Sequence, residues 1–392
     1  MCTKMPVVVW LAAVTACVAQ AVGPNGAAET PPQSVAQAMA IATKLAGATG
    51  SAGQAELSAQ ADCLAAMQAA WIVPSLAAFG NATPAGANWL RSGLERAADR
   101  LGDALPAAEL TAFVADVAQP PRARSLAFTW LKARAPSQAD ALLAAMLDDP
   151  SLDLRREAVE KLLESAAGDG AVAQAGTAAE KEIYRRGLAA ARDVDQLEQI
   201  ASWLTEHGEP TDIAVVLGFV RNWRVSAAFD NAKGVGFARA YPAEIEHAAT
   251  PVPEGWKAVA STDKHGTIDL NAAIATEKGV LAYAVAAVEM PRGGLAEVRV
   301  GSPCAVAVWV NGKRVMAHEI YHASEAIDQY VATADFRAGN NVVLVKCCQN
   351  EQTEAWASDW TFQLRICDPL GKPLATQMPA TQKQEAGDGK AP

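Results

Sequence analysis

In AVAVWVNGKRVMAHE, residues 305–319, two runs of strand-forming residues flank Asn311-Gly312. Asn-Gly between such runs is the strongest short-range hairpin signal, because a type I′ turn requires positive φ at both central positions. Outward from this hairpin the pattern keeps a period of two. VLAYAVAAVEM (280–290) and LAEVRVGS (295–302) precede it, and QYVATADF (329–336), NVVLVKCCQ (341–349) and WTFQLRICD (360–368) come after it. In the last of these, Trp360, Phe362, Leu364 and Ile366 alternate with Thr361, Gln363, Arg365 and Cys367, which predicts one buried and one wet face. Many short strands at this spacing predict a β-sandwich or jelly roll over residues 255–374.

Upstream, residues 34–220 carry a helical period throughout. The clearest piece is LLAAMLDDPSLDLRREAVEKLLESA, residues 142–166. Leu142, Leu143, Met146 and Leu147 make one apolar stripe, and Leu154, Ala158, Leu162 and Leu163 make a second after the break Asp148-Asp149-Pro150-Ser151. Two amphipathic helices joined by a D-x-P turn, with Arg155 and Arg156 opening the second, resemble a HEAT-type repeat. PRARSLAFTWLKARAP (121–136) and DVDQLEQIASWLTEHGEPTDIAVVLGFV (193–220) repeat the pattern at looser spacing. At about 40–47 residues per unit the region holds roughly four units. One helical pair cannot bury its own stripe, so such units stack. The expected fold class is therefore multidomain, α then β: α-solenoid-like helical repeats followed by a β-sandwich.

Around Trp223 the period is lost. NWRVSAAFDNAKGVGFARAYPAEIE, residues 222–246, is rich in aromatics and Gly, and residues 221–254 read as a connector with a first strand. Lys233-Gly234-Val235-Gly236 lacks the Walker spacing and the flanking strand and helix of a phosphate loop, so it reads as a loop with glycine turns.

Hydrophobic residues are 51% of the 392-residue chain, enough for real cores and too many for a disordered protein. A formal net charge of −10 with no long basic run excludes nucleic acid and anionic lipid surfaces as partners, since both need Lys/Arg patches. MCTKMPVVVWLAAVTACVAQAVG has the form of an export signal: Lys4, an apolar run from Pro6 to Ala16, then small residues. That run is shorter than the about 20 residues a bilayer span needs. Val14-Thr15-Ala16-Cys17 resembles a bacterial lipobox that would leave a lipidated Cys17, whereas Ala19-Gln20-Ala21 is an A-x-A site that would release a soluble chain. Both stay open, and the expected location is the periplasm or cell envelope, with a membrane reached only through such an anchor. The signal is placed at 1–21, a Pro/Gly-containing linker at 22–33 and a polar, disordered tail at 375–392.

Past the signal the cysteines are Cys63, Cys304, Cys347, Cys348 and Cys367, an odd number without a CxxC pair. They read as buried small hydrophobes, or with one bridge from Cys304 to Cys347 or Cys367. Cys347 and Cys348 point to opposite faces if they sit in a strand.

The set NWRVSAAFDN…GVGFARAYPAE, LAYAVAAVEM, VRVGS, VWVNGKRV, IDQYVATADFRAGNNVVLVKCCQN and WTFQLRICDPLGKPL resembles a galactose-binding-like jelly-roll module. The resemblance covers about residues 223–374, and the helical half matches only as a class. Such modules occur in large exported bacterial proteins, often behind HEAT-type repeats. The resemblance implies a binding or adhesion module and imports no catalytic residues. Members commonly carry Gly-Pro where this chain has Ala227-Ala228.

Directly after the hairpin comes HEIYHASEAID, residues 318–328, in which His318-Glu319-x-x-His322 has the pattern of a zinc-protease helix. Met316, Ile320, Ala323 and Ile327 fall at helical spacing, and Asp328 stands where a metzincin would place its third ligand. In that scheme His318, His322 and Asp328 bind zinc and Glu319 activates water. Against it, Glu325 replaces the glycine that bends the chain, and Asp328 lies six residues beyond His322, on the opposite side of a continued helix. The stretch also falls between strands. The expectation is therefore no enzyme and no cofactor, with zinc or calcium as the alternatives. No G-x-S-x-G and no outstanding carboxylate pair suggests other catalysis. Loops at sandwich ends carry binding sites. Trp309, Tyr321, Tyr330 and Trp356 are candidate stacking residues, with Asn311, Asp328 and Asn350 as polar contacts for a glycan; Trp360 fits the core better. The expected function is an exported scaffold with a protein or glycan partner, the competing classes being a zinc hydrolase and a structural envelope component without a small ligand.

Overall fold

Helices occupy the N-terminal part of the chain and antiparallel sheets the C-terminal part. The structure is a computed structural model that describes residues 30–50, 53–166, 176–246 and 255–377. The export signal, Cys17 and most of the linker lie outside the described residues. Among the described residues no single helix is long and apolar enough to cross a membrane. Contacts divide the chain into two units, Met1–Lys161 and Leu162–Pro392.

The first unit holds α1 (Val35–Ala46), α2 (Gln54–Ala65), α3 (Ile72–Leu76), α4 (Pro84–Leu101), α5 (Ala107–Ala115), α6 (Pro121–Arg134), α7 (Pro136–Leu143) and most of α8 (Leu152–Glu164). Its helix starts are written in the sequence. The Ser34 hydroxyl accepts from Gln37 N, and the Thr83 hydroxyl accepts from Gly86 N. Pro84, Pro121 and Pro136 sit in first turns, where no amide donor is needed. Leu45, Leu64, Met67, Ile72, Leu76, Leu90, Leu94 and Leu131 form one core. The start of α4 runs so close to the end of α1 that a Cβ on Gly86 would meet Ala46 O at 1.9 Å, so only glycine fits.

At the D-x-P turn the apolar stripe is shorter than its spacing suggests. The helix ends at Leu143, and Met146 is buried from a turn rather than from a helix face. Asp149 organises the entry into α8. It takes two hydrogen bonds from Arg124 Nη1 and Nη2, at 2.8 and 2.7 Å, with both side chains buried. Its Oδ1 also accepts from Ser151 N at 2.8 Å, and its carbonyl from Arg155 Nε at 2.9 Å. Arg124 Nε reaches Val114 O at 2.8 Å, so one buried arginine of α6 ties α5 to the turn that enters α8.

After the last residues of α8, the second unit holds α9 (Ala178–Ala190), capped by a Thr177/Glu180 capping box, then α10 (Val194–Glu206) and α11 (Ile213–Leu217). Tyr184, Trp203 and His207 stack between α9 and α10, with ring centroids 3.7 and 4.0 Å apart. The strands come next: β1 (Asn222–Val225), β2 (Phe229–Asp230), β3 (Lys257–Ala260), β4 (Ile268–Asp269), β5 (Val280–Met290), β6 (Gly294–Gly301), β7 (Ala305–Val310), β8 (Lys313–His318), β9 (Tyr330–Phe336), β10 (Gly339–Cys348) and β11 (Thr361–Cys367). One sheet has the order β3-β1-β5-β10-β7-β8 with β2 also on β5, and the other has β4-β11-β6-β9. Neither sheet is closed. Val306, Val308, Val343 and Val345 of the first share one core with Val298, Val300, Phe362, Leu364 and Ile366 of the second.

The hairpin turn has φ of 49° at Asn311 and 84° at Gly312, as a type I′ turn demands. The near-continuous apolar runs of β5 and β10 have a physical reason: both faces are covered. Their second face, with Leu281, Tyr283, Leu344 and Cys348, packs under Tyr241 and Ala243. The predicted wet face of β11 is not wet. Gln363, Arg365 and Cys367 are buried: Glu325 of the β8–β9 loop meets Gln363, α11 and the chain after β11 meet Arg365, and Pro373 bridges to Cys367. Arg365 Nη1 donates to Leu217 O at 3.3 Å and to Gly371 O at 3.5 Å. Residues 375–377, expected in the tail, are held in place. Thr376 exchanges hydrogen bonds with Glu289, and Gln377 Oε1 accepts from Arg221 N and Asn222 N at 2.7 and 2.8 Å.

All five described cysteines are buried free thiols. Cys347 faces the core between the sheets and Cys348 the opposite face of the same strand.

Candidate functional site

Three loops converge at one end of the sheets: the turn after β2, the β8–β9 loop and the β10–β11 loop. Asn231 joins them. It is fully buried, and its Nδ2 donates to Gln349 O at 2.9 Å and to the Tyr321 hydroxyl at 3.2 Å. Its Oδ1 has no hydrogen-bond partner among the described residues. The glycine turn next to it has φ of 58° at Lys233 and 73° at Gly234, and Lys233 N donates to Glu351 Oε1. Burial pushes the Tyr321 phenol above its ordinary value.

His322 adopts φ of 59°, a left-handed conformation that turns its ring toward the third loop. Its Nε2 donates to Asn350 Oδ1 at 2.8 Å, and Asn350 Nδ2 donates to Gln352 Oε1 at 2.9 Å. Trp356 meets the His322 ring edge-on at 5.1 Å and remains 64% exposed. Tyr321, His322, Asn350 and Trp356 therefore form one cluster: an open indole face beside a fixed imidazole and a fixed amide. Such a surface can stack on an apolar ring face and exchange hydrogen bonds with hydroxyls.

The loop bearing Asn231 is held by a second buried cluster. Lys346 of β10 is 1% exposed, and its Nζ donates to Phe237 O, Arg239 O and Glu244 Oε1 at 2.9, 2.8 and 2.7 Å. The Tyr283 hydroxyl donates to the same Glu244 oxygen at 2.5 Å, and the Lys346 ammonium lies 5.7 and 5.6 Å from the Tyr241 and Tyr283 ring centres. Burial, then Glu244, push the Tyr283 phenol well above its ordinary value. Residues 229–246 are thereby clamped over the outer face of the larger sheet.

The remaining candidates sit elsewhere. Trp309 is buried in the apolar cluster on that outer face, where its ring packs rather than stacks on a ligand. Asn311 is engaged in the hairpin: its Oδ1 accepts from Val342 N at 3.0 Å, and its Nδ2 donates to Asn341 Oδ1 at 2.8 Å. Tyr330 stacks on His318 at 4.1 Å. Asp328 bridges two arginines, accepting from Arg299 Nη1 at 2.7 Å and Arg365 Nε at 2.6 Å. Burial raises the Asp328 carboxyl, but Arg365 and then Arg299 outweigh it and hold the group below the ordinary carboxylate range.

These positions also separate the residues of the zinc pattern. No helix forms over 313–329, because β8 pairs with β7, placing His318 opposite Val306. His318 ends a strand against Tyr330, His322 faces Asn350, and Asp328 is engaged with the arginines. Among the described residues no group of three or more His, Cys, Asp or Glu is placed to hold a metal ion. Nothing in the sequence points to Asn231 or Lys346, since their partners lie about a hundred residues away and a lone Lys in an apolar strand carries no local signal.

In the first unit a groove of about 510 Å³ runs across α4, α6 and α8. Arg91 of α4 lines it with Arg122, Ser125 and Thr129 of α6 and Asp153 and Glu157 of α8, the last two sets at one-turn spacing.

No family model matches the chain, and no curated protein matches it. Among solved structures, a β-glucuronidase of Faecalibacterium prausnitzii is 14% identical over 33% of this chain and 21% of its own, with a TM-score of 0.21. A β-glucuronidase of an uncultured Clostridium sp. is 12% identical over 38% of this chain and 29% of its own, with a TM-score of 0.23. A GH31 α-xylosidase of Xanthomonas citri is 10% identical over 37% and 16%, with a TM-score of 0.19. The chain thus spans less than a third of the length of each, and likeness at this level assigns no activity to it.

Proposed function

We propose that the chain is an exported, non-catalytic binding and scaffold protein. In this reading HEAT-type repeats present a protein-interaction surface, and a galactose-binding-like jelly roll recognises carbohydrate at its loop-bearing end. The observation that carries the glycan reading is the exposed Trp356 beside His322, Asn350 and Tyr321. A sugar ring offers one apolar face and a rim of hydroxyls. An indole with two fixed polar neighbours complements both, and the Asn231 side-chain amide, donating to the Tyr321 hydroxyl and the Gln349 carbonyl, pre-organises the loops that carry them. The polar groove on the helices supports the interaction surface, since three helices contribute to it.

The test is retention of the purified chain on insoluble polysaccharides and a glycan array, beside Trp356→Ala and Asn350→Ala. Retention on at least one glycan should fall tenfold or more in Trp356→Ala, with the melting temperature unchanged. Binding indifferent to both substitutions removes the site from this end of the sheets. No binding across a broad array favours a structural component without a small ligand.

A further inference from the structure

We propose that Cys304 and Cys347 are a disulfide-forming pair that staples the start of β7 to β10 when the chain folds in the presence of a small-molecule or protein disulfide. Both lie in the core between the sheets, at 4% and 1% exposure. Cys347 is paired across the ladder with Val306, and Cys304 is the next residue on that same inward-facing row. Burial, then the neighbouring Cys304 thiol, raise the Cys347 thiol. Both thiols are also aimed at one patch of neighbouring backbone. Cys304 Sγ donates to Asp359 O at 3.3 Å and Cys347 Sγ to Thr361 O at 3.7 Å, two residues apart. Ser302 Oγ accepts from Cys304 N at 3.0 Å and stands 3.9 Å from Cys347 Sγ.

The other cysteines are placed differently. Cys348 faces the opposite side of β10, and Cys63 belongs to the first unit. Cys367 alternates with the core-facing Ile366 and sits on the other face of β11, where burial raises its thiol to about 11. The bridge from Cys304 to Cys367 considered from sequence is therefore blocked by the sheet itself.

Burial pushes the Cys347 thiol well above its ordinary value, so thiolate is scarce once the core has closed. The exchange thus belongs to folding. One cysteine thiolate attacks a sulfur of the carrier disulfide and expels a carrier thiolate, leaving a mixed disulfide. The second thiolate then attacks the protein sulfur and expels the other carrier thiolate. Two protein thiols are oxidised, one carrier disulfide is reduced to two thiols, and the two protons end on those thiols.

The test uses the reduced full chain, refolded in a glutathione redox buffer and alkylated in denaturant without reductant. Folding is checked by circular dichroism. Wild type and Cys348→Ser are mapped by tryptic mass spectrometry. The expected product links peptide 300–313 to peptide 347–365, with two hydrogens lost and Cys348 alkylated. In Cys348→Ser the same link persists. A folded chain in which Cys304 and Cys347 are both fully alkylated, or a link to Cys348 or Cys367, overturns the proposal. The reading is independent of the glycan site, whose retention assay does not depend on this bond.

Discussion

Replacing Lys346 by Met keeps most of the apolar stem and removes the ammonium. Three charge-assisted hydrogen bonds go with it, to Phe237 O, Arg239 O and Glu244 Oε1. Breaking a buried ion pair from one side costs about 3–5 kcal/mol, mostly through the charge left behind. Here Glu244 keeps the Tyr283 hydroxyl and is 15% exposed, so the loss falls at the lower end. About 3 kcal/mol is roughly two orders of magnitude in the folding equilibrium. Adding Glu244→Gln to Lys346→Met removes the uncompensated carboxylate and should recover about 1 kcal/mol or more, a coupling that a double-mutant cycle measures. Urea unfolding followed by tryptophan fluorescence, fitted with one transition per unit, reads both numbers. Because residues 229–246 carry Asn231, Lys346→Met should also weaken Trp356-dependent glycan retention. A loss below about 1 kcal/mol, the level of an exposed pair, together with no coupling to Glu244, would refute the clamp.

Asp149→Ala removes the partner of a fully buried Arg124 and the acceptor of Ser151 N, and should destabilise the helical unit by about 3–5 kcal/mol in the same urea assay. The Asp328 carboxyl is depressed in the folded chain, so its contribution is complete above the unfolded value near 3.9 and is lost as pH falls through the lower folded value. The stability gap between wild type and Asp328→Asn should therefore narrow below about pH 4, and a gap constant between about pH 6 and about pH 2.5 would contradict the two-arginine bridge. Elemental mass spectrometry after incubation with excess zinc should find no stoichiometric metal that is lost in His318→Ala. Zinc bound one to one and released by that substitution would reopen the hydrolase reading.

The hairpin shows what is legible in the sequence and why. Asn311-Gly312 needs only its own φ angles to make a turn, so the signal is local and the structure carries it at the expected residues. The strands of 280–368 are legible for the same reason: side-chain alternation is a property of the strand itself. HEIYH shows the opposite case. Its helical spacing is real in the sequence, but β8 pairs with β7 up to His318, and the ladder wins over a local helical pattern. For Arg365 and Lys346, spacing distinguishes neither a wet face nor a buried charge; the elements that cover the strand decide it.

The order of helices and sheets, the hairpin, the helix starts and the placing of Cys347 and Cys348 on opposite faces are thus properties of the chain as written, because all of them rest on contacts within a few residues. Which loop residues meet is a property of the folded molecule. Asn231 and Gln349 stand 118 positions apart, and His322 and Asn350 stand 28 apart. Their pairing depends on the strand order β5-β10-β7-β8, which the register of the ladders sets and no local pattern encodes.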